Sequence, residues 1–169
     1  MKILGIDTAI RCTGYGIVQT DDRGEIRVVD CGIIRNSKDA PHSECLRRLA
    51  GGIREIIGIH SPEQASIENV FVNKNIKTAM ILSYARGAVM TVLAEAGIAA
   101  YPYSPRKAKL AVCGTGVSTK EQVAEMLSCI FSLKIDEIPL DSTDALALAV
   151  CHAQIMTRPG SEYLLPKPL

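Results

Sequence analysis

Residues 2–7 read Lys-Ile-Leu-Gly-Ile-Asp, a short apolar run that ends in an acid. This pattern is typical of a central β-strand with Asp7 at its carboxyl end. Residues 13–20 and 26–35 have the composition of two more strands, and Asp-Asp-Arg-Gly at 21–24 is a strong turn signal between them. The first 35 residues therefore predict three strands in an antiparallel meander.

Beyond the meander, helical and strand-like patterns alternate. They predict helices at about 46–57, 75–96, 105–112, 118–131 and 141–156, and strands at 64–68 and 98–103. Ser118 and Glu121 match a capping box, which predicts Ser118 as the N-cap of the fourth helix. The order predicts a single α/β domain over residues 1–158, in which a mixed sheet carries helices on both faces. A flexible C-terminal tail is expected at 159–169.

The composition indicates an ordinary packed core. The chain has 169 residues, 47% of them hydrophobic, a length that suits one domain. Its six cysteines stand singly, so we expect free, mostly buried thiols in a reducing compartment, without disulfides or a structural zinc site. Charged residues interrupt every apolar run before the roughly 20 residues that a membrane helix needs. We therefore expect a soluble, cytoplasmic protein.

The charges are unevenly distributed although the net charge is only +1. Residues 70–120 contain seven basic side chains and one acidic side chain, a net charge of +6, which leaves −5 for the rest of the chain. The middle of the chain is thus basic enough to contact phosphates, and the flanks hold most of the carboxylates. The alternative is that these side chains simply cover helix surfaces.

Four acidic residues stand where α/β sheets concentrate their chemistry. Asp7 and Glu68 end predicted strands, and Asp141 and Asp144 share one face of the last helix. Taken singly, an acid after a strand can begin a turn, and Asp141 can cap its helix. If the four converge, cations relieve their repulsion, and oxygen ligands favour Mg²⁺ or Mn²⁺. Two such ions about 3.5–4 Å apart support phosphodiester hydrolysis.

Six blocks of sequence resemble, in order, those of the RuvC-type Holliday junction resolvases. They are ILGID with TGYG, IENVFVNKN, ARG, RKAK, GTGVSTKEQV and DSTDALALAV, and they extend from residue 3 to residue 150. The resemblance implies the ribonuclease H-like fold of that family. It also implies a Mg-dependent crossover junction endodeoxyribonuclease, which resolves four-way DNA junctions by paired symmetric nicks in recombination and repair.

The resemblance assigns the catalytic metal site to Asp7, Glu68, Asp141 and Asp144. It implies two Mg²⁺ ions per site, for which Mn²⁺ is able to substitute. Asp7 is expected to bridge both ions, Glu68 and Asp144 to bind one each, and Asp141 to complete the site or orient water. Cleavage is expected to leave a 5′-phosphate and a 3′-hydroxyl.

The resemblance also implies a DNA-binding set. Lys109 and Lys120 match basic residues near the scissile phosphate, and Lys74 and Asn75 match residues near the DNA. Phe71 matches an aromatic residue that stacks on an unpaired base, although a loop aromatic can equally be tucked into the core.

The partners implied by the family are four-way junction DNA, a second copy of the chain and a branch-migration motor of the RuvA and RuvB type. A homodimer is reasonable because two equivalent cuts need two equivalent sites. The long helix that begins near residue 75 and carries Gly87 and Ala88 is either the dimer seam or a core helix of its own domain. No membrane partner is expected.

The chain departs from the family pattern at one point, and two other classes of protein share some of its features. The family commonly has Pro and Gly after the first catalytic acid, where this chain has Thr8 and Ala9, so the loop after the first strand is expected to differ in detail. The opening also resembles actin-like ATPases and their scaffolding relatives, which are longer and do not explain Glu68 or the Asp141 and Asp144 pair. A ribonuclease H-like nuclease of ribosomal RNA precursors shares the acids but lacks the 114–123 block.

Overall fold

The structure is a computed structural model that describes residues 1–69, 76–134, 138–160 and 162–169. The strands are β1 (Lys2–Asp7), β2 (Cys12–Thr20), β3 (Ile26–Arg35), β4 (Gln64–Glu68) and β5 (Ala99–Tyr103). The helices are α1 (His42–His60), α2 (Ile76–Glu95), α3 (Pro105–Cys113), α4 (Lys120–Phe131) and α5 (Leu140–Thr157), followed by a short 3-10 helix at Glu162–Leu164. The predicted elements are therefore confirmed to within a few residues at each end.

The strands form one mixed sheet in the order β3-β2-β1-β4-β5. β1 runs antiparallel to β2, where Asp7 lies opposite Gly14, and parallel to β4, where Ile6 lies opposite Ile67. β2 is antiparallel to β3, and β4 is parallel to β5. The predicted meander is thus confirmed. Because β1 and β4 are parallel neighbours, their carboxyl ends, with Asp7 and Glu68, lie at the same edge.

Helices cover both faces of the sheet, as the sequence predicts. Ile3 of β1 belongs to a core formed with α3, α4 and α5, whereas Leu4 and Ile6 belong to a second core formed with α1 and α2. Alternate residues of β1 thus enter opposite cores, which follows from the two-residue period of a strand. The central strand is therefore buried on both faces, with Asp7 partly buried at its end.

Helix α5 lies directly on β1 and β2 because glycines face it. A Cβ added to Gly14 would stand 1.9 Å from the backbone oxygen of Asp141, and one added to Gly5 would stand 2.0 Å from that of Ala145. Both distances are far below the 3.0 Å that real Cβ contacts respect. Glycine at these positions, with alanines on α5, lets the helix bring its acidic first turns to the end of β1.

The capping box of α4 is one residue later than predicted. Thr119, not Ser118, is the N-cap, and its hydroxyl accepts a hydrogen bond from the backbone N–H of Gln122 while the Gln122 side chain accepts one from the Thr119 N–H. Both tetrads fit the pattern, but Ser118 is buried and its hydroxyl donates to the backbone oxygen of Thr115. The assignment of the cap to Ser118 and Glu121 is therefore wrong.

In helix α2, Lys77 and Arg86 interrupt the apolar residues as expected, but so few charges leave the helix apolar as a whole. Over its most apolar 18 residues the mean hydropathy is 1.2, so within the described ranges this helix alone is long and apolar enough to cross a membrane. One helix that passes a test of length and composition is weak support for a membrane span. Only 22% of this stretch is buried inside the chain, and the exposed part includes Ile76, Met80 and Tyr84.

The cysteines are free, as predicted, but they are not mostly buried. Cys45 and Cys151 are buried, Cys129 is exposed and the remaining three are partly exposed. The expectation of mostly buried thiols is wrong: Cys12 begins β2, Cys113 ends α3 and Cys129 lies on an exposed face of α4.

The C-terminal residues lie against the domain. The backbone N–H of Leu169 donates to the oxygen of Ala100, and Lys107 Nζ donates to the oxygen of Leu164. The side chain of Leu165 packs against the core beside α5. Flexibility of the tail at 159–169 stays a prediction, as does the domain boundary at 158.

Candidate active site

The carboxyl ends of β1 and β4 bring the side chains of Asp7 and Glu68 close together, and both line one cavity. Burial raises the pKa of Asp7 well above its ordinary value, and the hydrogen bond and negative charge of Glu68 raise it further, with a smaller effect from Asp144. The positive charge of Lys120 opposes this rise. The sequence predicts this effect, because acids that converge disfavour each other's negative charge.

Asp141 and Asp144 reach the same region from α5. The N-cap of α5 is Pro139, so Asp141 stands inside the first turn and the alternative that it caps the helix is wrong. Asp144 lies one turn further along the same face and, with Asp7 and Glu68, lines a cavity of about 280 Å³. Asp141 is not part of this lining, but Lys120 lies between it and Asp144.

The two predicted lysines line this cavity together with the acids. Lys120 Nζ is 3.0 Å from Asp144 Oδ2 and 3.7 Å from Asp141 Oδ1. Burial works against the charge on Lys120, but the hydrogen bond to Asp144 and the surrounding carboxylates raise its pKa. Lys109 Nζ instead donates to the backbone oxygen of Ser118 at 2.6 Å. The rest of the wall is apolar and consists of Pro105, Ala108, Ala147 and Leu148.

Two residues at the site are not predicted from the sequence. Cys12 Sγ donates to Asp141 Oδ2 at 3.1 Å, and Arg86 of α2 donates to the backbone oxygen of Glu68. Burial raises the pKa of the Cys12 thiol, and the bond to Asp141 raises it further. A sequence feature could have identified each of them, since Cys12 begins the strand next to β1 and Arg86 lies in the ARG block. Each side chain restrains one of the candidate acids.

The loop after β1 accommodates Thr8 and Ala9 without strain. The hydroxyl of Thr13 donates to the oxygen of Ala9 at 2.6 Å and accepts from the Ala9 N–H at 3.2 Å. In the described part of the chain, the non-glycine residues with positive φ are Ser61 and Ser132 alone. Because Ala9 is not one of them, this loop does not need the glycine that the family commonly has.

The remaining DNA-binding candidates, Phe71, Lys74 and Asn75, lie outside the described residues. Their assignment stays a prediction from the resemblance.

The donor set fits hard divalent ions. Carboxylate oxygens dominate it, and the charges of Glu68 and Asp144, which help to raise the pKa of Asp7, are what a bound cation would offset. In the ranges that the structure describes, no three acidic, histidine or cysteine side chains are grouped tightly enough to enclose an ion as they stand. The acids meet in pairs instead, Asp7 with Glu68 and Asp141 with Asp144 through Lys120.

A mixed sheet that starts with an antiparallel meander, with acids at the ends of β1 and β4 and on the last helix, defines a nuclease of the ribonuclease H-like class. The family model for crossover junction endodeoxyribonuclease RuvC matches residues 3–152. The chain therefore belongs to the RuvC family, and it is an endonuclease of the hydrolase class. The actin-like and ribosomal RNA alternatives are accordingly set aside.

Individual relatives agree with this assignment. A RuvC of Chlorobaculum parvum is 40% identical over 89% of this chain and 80% of its own length. One of Protochlamydia amoebophila is 39% identical over 95% of both chains. The Thermus thermophilus RuvC solved in complex with a Holliday junction substrate is 31% identical, with a TM-score of 0.86 over 100% of this chain and 99% of its own. The yeast mitochondrial Holliday junction resolvase, 11% identical over 90% of this chain and 78% of its own, shares the fold with a TM-score of 0.63.

Proposed function

We propose that this chain resolves four-way DNA junctions by paired symmetric nicks, with Asp7, Glu68, Asp141 and Asp144 as its metal-binding acids. The observation that carries the proposal is the cavity lined by three of these acids and by two lysines. A binding partner with bridging phosphates suits such a mixed lining, because the lysines attract the backbone while the acids hold cations. The solved complex of the Thermus thermophilus relative with a Holliday junction supports the choice of substrate.

Two Mg²⁺ ions bound by these acids would supply an activated water and stabilise the leaving oxygen of the phosphodiester, and Mn²⁺ would substitute for Mg²⁺. Asp7 is suited to a shared ligand because the charges of both Glu68 and Asp144 act on it. Lys109 and Lys120 would hold the phosphate next to the cut. The apolar wall formed by α3 and α5 would exclude bulk water from the reacting group.

The test is cleavage of an immobile four-way junction in Mg²⁺, with EDTA as the control. Asp7→Asn keeps the shape of the side chain and removes its charge, so we expect it to abolish cutting while junction binding survives. Asp22→Asn, an exposed acid of the β2–β3 turn, is the matched control and should cut normally. Cutting by Asp7→Asn at the wild-type rate would refute the metal site.

We also propose that α2 forms the seam of a homodimer. Ile76 is 71% exposed, Met80 51% and Tyr84 47%, and the four-residue spacing places them on one face of the helix. A Cβ on Gly87 would meet nothing within 4 Å, so this face leaves room for a second backbone. The hydroxyls of Ser83 and Thr91 donate to carbonyls one turn back, which reduces the polarity of the same surface. The long apolar stretch of α2 is thus better explained by a partner copy than by a membrane.

A branch-migration motor of the RuvA and RuvB type as partner, and a cytoplasmic location, are proposed from membership of the family. The partner proposal is tested by adding RuvA and RuvB proteins to a mobile junction and measuring whether the positions and rate of cutting change.

A further inference from the structure

The ammonium of Lys120 occupies a position between two of the proposed metal ligands. It is in contact with Asp144 Oδ2 at 3.0 Å and lies 3.7 Å from Asp141 Oδ1, and its charge also acts on Asp7. One cation among several carboxylates offsets their mutual repulsion, as a divalent ion would. A metal ion and this ammonium therefore compete for the same oxygens.

The ion pair between Lys120 and Asp144 can break easily. The side chain of Lys120 is 46% exposed, and Lys120 is the first residue of α4, so its four-carbon stem can turn away without disturbing the helix. Exposed ion pairs of this kind are individually weak. A DNA phosphodiester that enters the cavity offers the ammonium an alternative anionic partner, on a backbone that carries one negative charge at every phosphate.

Lys109 gives a built-in comparison. It lines the same cavity and carries the same charge, but its Nζ donates to the backbone oxygen of Ser118. Its ammonium is held by a neutral carbonyl on the α3–α4 loop and, among the residues that the structure describes, forms no ion pair with a carboxylate. Removing the two lysines should therefore affect cation binding differently, although both are expected to contact DNA.

We propose that Lys120 is a resident counterion of the carboxylates, and that junction DNA draws it onto a phosphate and so opens the site to divalent ions. The inference rests on the proposed carboxylate site and adds a coupling between its metal and its substrate. Because such coupling is reciprocal, the ion must tighten junction binding by the same factor by which the junction tightens ion binding. The free enzyme then binds divalent ions weakly and becomes loaded on its substrate.

The experiment measures Ca²⁺ and Mn²⁺ affinity by calorimetry, first without DNA. Lys120→Met keeps the length of the stem and removes the charge, and we expect its metal dissociation constant to fall about five-fold or more. Lys109→Met, the matched control, should stay within about two-fold of the wild type. Lys120→Arg retains a cation and should resemble the wild type. Thermal melting of each variant verifies that it is folded.

The second arm repeats the Ca²⁺ titration with an immobile four-way junction bound. With the junction bound, wild-type protein should bind Ca²⁺ more tightly than without DNA, by a factor of about five or more. Lys120→Met should lose most of this increase in affinity. Unchanged or weaker metal binding by Lys120→Met, while Asp144→Asn still weakens it, would overturn the counterion role and leave the carboxylate site intact. Metal binding that is normal in both Asp7→Asn and Asp144→Asn would instead refute the site itself.

Discussion

Replacing Gly14 with alanine tests whether the placement of α5 sets the geometry of the site. The new Cβ would stand 1.9 Å from the backbone oxygen of Asp141, against a lower limit of 3.0 Å, so the start of α5 must move by about 1 Å. Overpacking of this kind costs roughly 1–3 kcal/mol of stability. Because Asp141 and Asp144 lie on the part of α5 that moves, they would be displaced relative to Asp7.

A displacement of about 1 Å in a catalytic group can lower the rate on the order of 10²-fold. We therefore expect Gly14→Ala to cut an immobile junction about 10²-fold more slowly under single-turnover conditions, at a temperature where circular dichroism shows it folded. Gly51→Ala is the matched control, since a Cβ there meets nothing within 4 Å. The Gly51→Ala variant should cut normally. Because Gly51 lies in the middle of α1, the alanine should also stabilise the protein by roughly 0.5–1 kcal/mol. Wild-type cutting by folded Gly14→Ala would refute the reasoning.

Three further predictions concern stability, assembly and substrate contact. His152 is buried between the Tyr103 hydroxyl and Gln64 Oε1, each at 2.7 Å, and burial lowers its pKa to about 4. The unfolded chain takes up this proton near pH 6.5, so stability falls as the pH falls through this window, by about 2 kcal/mol between pH 7 and pH 5. Urea unfolding of His152→Asn should lack that loss, and equal pH slopes for both proteins would contradict the assignment. Met80→Glu should turn the dimer into a monomer in equilibrium sedimentation. Val29→Glu should not, because Val29, an apolar residue that is 41% exposed, lies on β3 and not on α2. Dimerisation of Met80→Glu at wild-type strength would exclude the α2 seam. Phe71→Ala should weaken junction cutting more than duplex binding, by about 1–3 kcal/mol if the ring stacks on a base, and equal losses on both substrates would assign it to the fold.

The local pattern of the chain was sufficient for most of the secondary structure. Apolar runs, helical spacing and turn residues identify β1, the meander and α5, because these signals depend on neighbours within a few residues. The cap of α4 was misplaced by one residue, since Ser118 and Thr119 both begin an acceptable tetrad. Burial of Ser118 decided between them, and burial is a property of the fold.

The sequence likewise predicts that α2 is long and apolar, but it does not predict what this helix packs against. Sequence hydropathy does not distinguish a helix that faces its own core from one that faces a partner. The exposed face at Met80 and Tyr84 becomes evident only when the sheet has covered the opposite side.

The sequence alone determined which acids are candidates, because strand ends and a three-residue helical spacing are local features and the ordered blocks mark the family. The tertiary structure alone decided how these acids are balanced. Lys120 lies against Asp144, Cys12 holds Asp141 and Gly14 admits α5 to the sheet, and each pair joins residues at least 24 positions apart in the chain. Contacts between distant residues depend on the close packing of whole elements, which no local pattern encodes.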